Sequence, residues 1–253
     1  MGETVIASDI EQTLKNRERL FKNEKLLYWY EKLYEYQFME FPDISKKNIL
    51  EIGSGASPLK LFYPNVITSD IMPLEYLDHV LDAHEIADFS PIKNNTLDII
   101  TMTNVLHHVE KPLLFLEKAS CKLKPGGKLI LTEPYFSLLG KAIYIYLHHE
   151  PVDFSIKEPV IEKVEGPLSS ANIALPYLIF KNQWDDTLRR TYRYSKEDFS
   201  YFSAFSYPMT GGMSKNIPIP KTLYKALFHL DRAIATLVPQ LTAIFFVLKM
   251  TKR

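Results

Sequence analysis

Five short apolar runs separated by turns and helical segments constrain the fold of residues 48–134. The first run is followed by Gly53, and the next two are followed by Asp70 and Asp82. Strands that alternate with helices predict right-handed crossovers, and therefore an α/β fold with a doubly wound, mostly parallel sheet. The predicted strands are Asn48–Ile52, Val66–Ser69, Asp78–Leu81, Leu97–Met102 and Gly127–Pro134.

The segments on either side complete this fold. Apolar and aromatic side chains at helical spacing over about residues 11–41 predict one or two amphipathic helices before the first strand. After Pro134 the sequence "FSLLGKAIYIYLHH" favours a helix, and the proline-rich stretch behind it favours a long ordered loop that serves a site. The sequence "YSKEDFSYF" predicts another crossover helix with Ser195 as its N-cap.

The most apolar part of the chain is "ALFHLDRAIATLVPQLTAIFFVLKM". It contains His229, Asp231, Arg232 and Pro239, so it is not an uninterrupted membrane span. The pattern predicts a helix, a break at the proline and a buried strand from Leu241 to Lys249.

Charge and cysteine content narrow the class of protein. Thirty basic and thirty acidic residues give zero formal net charge without a long basic run, so we expect no nucleic-acid partner. The single cysteine, Cys121, excludes an internal disulfide and favours a reducing, cytoplasmic location. The first residues lack the basic and apolar regions of a secretory signal. Peripheral contact with a membrane and the oligomeric state are left open.

The loop after the first strand, "NILEIGSGASPLK", is the clearest binding motif. Ligands of open α/β sheets bind beyond the carboxyl ends of the strands, where this loop would lie. A dinucleotide loop needs a third glycine in G-x-G-x-x-G, but the chain has Pro58 there. Glu51 would also repel a pyrophosphate. The motif therefore favours a neutral or cationic ligand over NAD or FAD.

The pattern acid-x-Gly-x-Gly, with Asp70 nineteen residues after Glu51, resembles the class I S-adenosylmethionine-dependent methyltransferases. It is closest to their small-molecule branch, which includes the ubiquinone and menaquinone methyltransferases. Five motifs agree in order over residues 48–135: "LEIGSG", "ITSDIMP", "VLDAHEI", "NNTLDIITMTNVLHHVEKP" and "LKPGGKLILTEP". Ser57 departs from the resemblance, because many relatives carry a third glycine there.

The resemblance, which covers about residues 48–135, implies a Rossmann-like sheet of seven strands with an antiparallel last strand. We expect a single methyltransferase domain spanning residues 1–253. Its parts would be an N-terminal helical lid (1–45), a cofactor-binding core (46–136), a substrate-binding insert (137–194) and the C-terminal part of the core (195–253).

The resemblance also implies S-adenosyl-L-methionine as cofactor and S-adenosyl-L-homocysteine as product. Glu51 would lie near the ammonium of the cofactor or orient the loop. Asp70 would bind the ribose hydroxyls, and Asp82 with Ala83 would bind adenine. Capping of helices is the alternative for both aspartates, and core packing is the alternative for Ile71 and Met72. The other implied cofactor contacts are Gly53, Ser54, Gly55, Thr103, Asn104 and His107.

Two histidine pairs supply candidates for catalysis. His148 or His149 could act as a base, with Glu150 raising its pKa or fixing its tautomer. His107 and His108 either touch the cofactor or substrate, or pack a helix. Because no spaced third ligand accompanies the histidines at 148–149, we expect no metal site.

The acceptor is predicted from the insert "PLSSANIALPYLIFKNQWDDTLRRTYRY". Its aromatic, amide and charged residues suit a polyhydroxylated small molecule, and with "HHEPVDF" it is similar to methyltransferases of bacterial surface-polysaccharide synthesis. This favours O-methylation of a saccharide hydroxyl. C-methylation of a quinone-like or lipid acceptor, and a nucleoside-binding module without turnover, are the alternatives. The candidate sugar contacts are Asn172, Asn182, Gln183, Trp184, Asp185, Arg189 and Arg190.

Overall fold

A computed structural model describes residues 3–182 and 194–253. Its strands form a single sheet in the order β3-β2-β1-β4-β5-β7-β6. The first five of these pair in parallel, whereas β7 is antiparallel to both β5 and β6. The strands are β1 Ile49–Ile52, β2 Val66–Asp70, β3 His79–Val80, β4 Leu97–Thr103, β5 Leu123–Pro134, β6 Tyr194–Phe202 and β7 Phe245–Lys252.

Helices cover both faces of this sheet. The α-helices are α1 Glu3–Lys22, α2 Glu24–Phe38, α3 Leu59–Phe62, α4 Pro112–Lys122, α5 Leu138–Tyr146, α6 Ala174–Tyr177, α7 Ser206–Thr210, α8 Lys221–Leu237 and α9 Pro239–Thr242. Short 3-10 helices span Ile44–Lys46, Ala83–Asp88 and Leu106–His108, and a π-helical turn spans Leu178–Asn182. None of the helices in the described segments is both long enough and apolar enough to cross a membrane.

The predicted fold class is confirmed: the sheet is mostly parallel and doubly wound, and its last strand is antiparallel. The two predicted N-terminal helices are α1 and α2, which the N-cap Asn23 separates. The predicted C-terminal order is also confirmed, because α8 ends at Leu237, Pro239 opens α9 and β7 follows. The strand begins at Phe245 and not at Leu241 as predicted, because Leu241 belongs to α9.

The predicted crossover helix at "YSKEDFSYF" is wrong, because this segment is the edge strand β6. It pairs with β7 from Tyr194 to Phe202 and satisfies the backbone groups along the outer edge of that strand. Its register shifts between residues 196 and 198, and this irregularity breaks the alternation that normally marks a strand. Ser195 followed by acidic residues therefore imitated an N-terminal helix signal.

The sheet separates two hydrophobic clusters. Successive side chains of a strand point to opposite faces, so Leu50 of β1 belongs to one cluster and Ile49 to the other. The first cluster is covered by α4 through Phe115 and Leu116. The second is covered by α2 and α8, which contribute Trp29, Leu33, Tyr224 and Phe228. This packing fixes the strand ends, on which the site is built.

Asp231 of α8 is fully buried and anchors the start of α7. Its Oδ1 accepts hydrogen bonds from the backbone N–H groups of Ala204, Phe205 and Ser206 at 2.8, 2.6 and 2.9 Å. Its Oδ2 accepts a fourth from the hydroxyl of Ser206 at 2.6 Å. Asp231, which interrupts the most apolar segment of the sequence, therefore caps the start of α7.

We expect Asp231→Asn to lower the free energy of unfolding by about 2–3 kcal/mol, because charge-assisted hydrogen bonds to a buried group are lost. Urea unfolding followed by circular dichroism measures this change. Asp43→Asn is the matched control, since Asp43 is exposed. Equal unfolding midpoints for the two variants would contradict the role of Asp231.

Candidate functional site

A cavity of about 910 Å³ lies at the carboxyl ends of β1, β2 and β4. The order of the sheet reverses at β1, which is where open α/β sheets bind ligands. Helices α1 and α2 and the insert after α5 close the cavity from the sides. The predicted site residues that line it are Gly53, Gly55, Asp70, Ile71, Met72, Asp82, Ala83, Thr103, Asn104, His107, His148, His149 and Glu150.

The two glycines of the β1 loop are required by their surroundings. Gly53 has φ +74°, and a Cβ there would lie 2.4 Å from Val105 Cγ2. A Cβ on Gly55 would lie 2.8 Å from Thr13 Cγ2 and 3.1 Å from Asp70 Oδ2. The loop can therefore approach the loop after β4 and the end of β2 only without side chains at these positions.

Ser57, at the position of the missing third glycine, binds the buried Glu51 behind the cavity wall. Its hydroxyl donates to Glu51 Oε1 at 2.5 Å, accepts from Leu59 N at 3.1 Å and lies 3.0 Å from the Tyr34 hydroxyl. Glu51 Oε2 has no hydrogen-bond partner within the described ranges. Burial raises the pKa of Glu51 to about 7, although the hydrogen bond from Ser57 opposes this.

Ser54 has a structural role that the sequence did not indicate. It is buried, and its hydroxyl donates to the Glu51 carbonyl at 3.2 Å while accepting from Ser69 N at 3.2 Å. These bonds tie the loop to β2. The side chain of Ser54 is not among those that line the cavity, so the prediction that it contacts the cofactor receives no geometric support.

Asp70 and Asp82 both combine a structural role with exposure to the cavity. Asp70 Oδ1 accepts from Met72 N and Oδ2 from Gly55 N, each at 3.0 Å. A carboxylate has about four acceptor positions, so Asp70 keeps capacity for a ligand. Burial raises its pKa. Asp82 Oδ1 caps the helix Ala83–Asp88 by accepting from His84 N at 2.9 Å.

The loop after β4 is shaped by Glu133, which is fully buried at the end of β5. Its Oε1 accepts from the backbone N–H groups of Val105 and Leu106 at 2.9 and 2.6 Å. Its Oε2 lies 2.6 Å from His107 Nδ1. Asn104, at the turn, has φ +56°, and its buried Oδ1 has no hydrogen-bond partner in the described part of the chain.

A cluster of His107, His108 and Glu150 forms one corner of the cavity. Glu150 Oε2 lies 3.3 Å from His107 Nε2, and Glu150 Oε1 lies 3.6 Å from His108 Nε2. Burial lowers the pKa of His107, but Glu133 and Glu150 outweigh it and raise that pKa to about 10. Burial and the neighbouring His107 lower the pKa of His108 to about 4. We call these three residues the polar corner.

Glu150 raises the pKa of His148, as predicted, but it does not decide the direction of the shift. Burial lowers the pKa of His148 by more than the attraction of Glu150 raises it. The backbone N–H of Glu150, not its carboxylate, donates to His148 Nδ1 at 3.2 Å. His149 stacks on His148 with its side chain 86% exposed. A base at either histidine stays a prediction that the geometry does not favour.

Sequence reasoning treated the two histidine pairs separately and missed the polar corner. The fold brings Glu150 to the histidines that follow β4, which lie more than forty residues earlier in the chain. The expectation of no metal site rested on a missing third ligand beside His148 and His149. In the structure, the carboxylate of Glu150 lies beside the other pair, His107 and His108.

The predicted saccharide contacts fall largely outside the described residues, where Gln183, Trp184, Asp185, Arg189 and Arg190 lie. Asn172 is described, and its side chain serves the insert itself. Its Oδ1 accepts from Asp153 N at 3.0 Å and its Nδ2 donates to the Asp153 carbonyl at 2.9 Å. Both ends of the Asn172 amide are therefore engaged within the insert.

The sequence pattern that defines the methyltransferase domain matches residues 22–165, more than half of the chain. The chain belongs to the methyltransferase domain family. The chain is 32% identical over 127 residues to the mitochondrial ubiquinone biosynthesis O-methyltransferase of Schizosaccharomyces pombe. The match covers 44% of the chain and 46% of that relative, so the chain spans about half the length of the curated relative it matches.

Solved structures match most of the chain at low sequence identity. The [4+2]-cyclase SpnF gives a TM-score of 0.50 at 15% identity, over 88% of this chain and 81% of that one. A SAM-dependent methyltransferase from Archaeoglobus fulgidus gives 0.47 at 14% identity, over 88% of this chain and 94% of that one.

S-adenosyl-L-methionine is the cofactor of this family, and the residues around the cavity fit it. Asn104 Oδ1 at the cavity wall and Glu51 Oε2 behind it are buried acceptors that lack a hydrogen donor from the described residues. The ammonium of the cofactor would supply donors to such groups. Asp70 and Asp82 stand at the adjacent strand ends as acceptors for ribose hydroxyls and the adenine amine.

We expect Asp70→Asn to weaken the binding of S-adenosyl-L-homocysteine about tenfold or more, because a carboxylate accepts from hydroxyls more strongly than an amide. Isothermal titration calorimetry measures the affinity. Asp88→Asn, at an exposed position that does not line the cavity, is the control. Unchanged affinity in a folded Asp70→Asn variant would exclude the ribose contact.

The pKa of Glu51, at about 7, generates a pH dependence. The group is neutral below this pH and anionic above it, so affinity for a ligand ammonium should increase as the pH rises through 7. Between pH 6.0 and 7.5 we expect roughly a fivefold or larger gain. The α-amino group of the ligand itself loses its proton near pH ~8, so titrations stay below that value.

Glu51→Gln is the control for this pH dependence, because an amide does not titrate and keeps the shape of the side chain. The variant should bind with a nearly constant affinity over the same range. If wild type and Glu51→Gln give parallel pH profiles, another group is responsible.

Proposed function

We propose that this protein transfers a methyl group from S-adenosyl-L-methionine to a hydroxyl of a small, largely apolar aromatic molecule. The observation that carries the proposal is a division within the cavity. Tyr144, Leu147, Tyr207 and Phe245 form one side of the cavity, which we call the apolar wall. The polar corner of His107, His108 and Glu150 also lines the cavity. A phenolic acceptor has the same two parts, a flat apolar ring and a hydroxyl.

The apolar wall is neutral and rigid. Tyr144 donates its hydroxyl to the Ile244 carbonyl at 2.6 Å, so its ring is fixed. Burial, with a contribution from Glu150, raises the pKa of Tyr207 to about 12, which keeps this phenol protonated at neutral pH. Tyr207 also packs edge-on against Phe245, with ring centroids 5.2 Å apart. Preformed aromatic surfaces of this kind favour a flat acceptor.

The chain contributes orientation and exclusion of water. When bound, the cofactor supplies a methyl group on a cationic sulfur, and the carbon–sulfur bond breaks as the acceptor oxygen bonds to that carbon. Such a displacement depends on alignment and desolvation, which the closed cavity provides. The polar corner holds hydrogen-bonding groups where the acceptor hydroxyl must be positioned and must release its proton.

The curated relative supports a hydroxyl as the acceptor group, since that protein is named as an O-methyltransferase of ubiquinone biosynthesis. The sugar acceptor has weaker support, because Asn172 is engaged within the insert. C-methylation of a quinone-like ring would use the same apolar wall, and product analysis separates it from O-methylation.

An acceptor screen with isotopically labelled cofactor tests the proposal by mass spectrometry. We expect phenols and catechols with apolar substituents to gain one methyl group on oxygen. Monosaccharides form the comparison set. Methyl transfer to sugars alone, or to ring carbon, would overturn the proposed acceptor class.

Leu147 provides a matched pair of variants for the same assay. Leu147 lines the cavity and Leu138 does not, although both belong to the α5 region and are 80% and 70% exposed. We expect Leu147→Ser to raise the KM for the apolar acceptor by about threefold to tenfold, from the loss of roughly 1 kcal/mol of apolar contact. Leu138→Ser should leave the KM unchanged.

A further inference from the structure

The polar corner unites potential metal ligands from two distant parts of the chain. His107 and His108 lie in the 3-10 helix after β4, and Glu150 lies in the insert after α5. Each offers one ligand atom, and these atoms all lie within 4.8 Å of one another. All three side chains line the cavity.

Both imidazoles are oriented for coordination through Nε2. Glu133 Oε2 lies 2.6 Å from His107 Nδ1, and the Ser170 carbonyl lies 2.8 Å from His108 Nδ1. A carbonyl can only accept, so His108 carries its proton on Nδ1 and leaves Nε2 as an acceptor. Carboxylate and carbonyl partners on the second ring nitrogen are the usual support of metal-binding histidines.

The spacing of the ligand atoms suits a small divalent ion. Ligands at about 2.0–2.2 Å from a tetrahedral ion are roughly 3.3–3.6 Å apart. Glu150 Oε2 lies 3.3 Å from His107 Nε2 and Glu150 Oε1 lies 3.6 Å from His108 Nε2, and all the ligand atoms lie within 4.8 Å of one another, close to that spacing. His148 is not part of this set, because its Nδ1 accepts from Glu150 N and lies 4.0 Å from the carboxylate.

We propose that His107 Nε2, His108 Nε2 and the Glu150 carboxylate bind a divalent transition-metal ion of the zinc class at the cavity wall. Two nitrogen ligands favour such an ion over magnesium, which prefers oxygen ligands. Three protein ligands leave a fourth position open toward the cavity, as catalytic zinc sites do. The ion replaces the proton through which His107 contacts Glu150.

The role of the ion rests on the proposed function, although its binding does not. An acceptor hydroxyl at the open position would have its pKa lowered by the ion and would be held beside the apolar wall. Its proton would pass to water. This arrangement assigns the activation of the acceptor to the polar corner, whereas His148 and His149 take no part in it.

Metal titration of the full chain, stripped with chelator and free of any affinity tag, tests the site. We expect one Zn²⁺ per chain by calorimetry, at least about a hundredfold tighter than Mg²⁺. Co²⁺ should produce visible absorption bands of a four-coordinate site. Glu150→Gln and His108→Ala should each weaken Zn²⁺ binding by about tenfold or more and remove the Co²⁺ bands.

The matched controls are Glu158→Gln, an exposed glutamate of the same insert, and His229→Ala, an exposed histidine of α8. Both should bind Zn²⁺ as wild type does. Wild-type protein without a tight equivalent of Zn²⁺, or equal affinity in all four variants, would overturn the metal site. Thermal unfolding and S-adenosyl-L-homocysteine binding of each variant confirm that it is folded.

The same samples separate the two proposals. Protein that binds S-adenosyl-L-homocysteine but not Zn²⁺ overturns the metal site and leaves the methyltransferase function intact. Protein that binds Zn²⁺ but neither S-adenosyl-L-homocysteine nor S-adenosyl-L-methionine overturns the function and leaves the metal site.

Discussion

The carboxylate of Glu133 is the interaction on which the rest of the site depends. It is buried at the end of β5, where it accepts from two backbone N–H groups of the loop after β4 and contacts His107 Nδ1. A buried carboxylate is unfavourable unless donors surround it, so the loop must fold onto it. That fold places Asn104 at a positive φ and directs His107 toward the insert.

Closure of the cavity depends on a second buried carboxylate, Asp9 of α1. It accepts from the backbone N–H groups of Leu168 and Ser169 at 2.8 and 3.1 Å, and from the Ser169 hydroxyl at 2.6 Å. Arg17, two turns along the same helix, donates to the Ser57 carbonyl at 2.8 Å. Helix α1 therefore joins the insert to the β1 loop, and both ends of the site are held by one element.

The sequence predicted the parts of this structure that follow from regular alternation. Strand ends meet at one edge of a parallel sheet, so Asp70, Asp82 and Asn104 could be placed near one another before their coordinates were known. The strand β6 was misread because its register shift hides the period of two. The polar corner could not be predicted, because the irregular path of the insert, not a repeating pattern, brings Glu150 to His107.

The buried acids also explain why the missing third glycine is compatible with the site. A glycine at position 57 would leave Glu51 without its 2.5 Å hydrogen bond, and burial would then raise the pKa of Glu51 further. Ser57 keeps that carboxyl able to ionise near neutral pH. Glu51 Oε2 and Asn104 Oδ1 have no hydrogen-bond donor among the described residues. The acceptors that the fold leaves unsatisfied therefore suit a cationic ligand group, whereas a pyrophosphate would meet a like charge at Glu51.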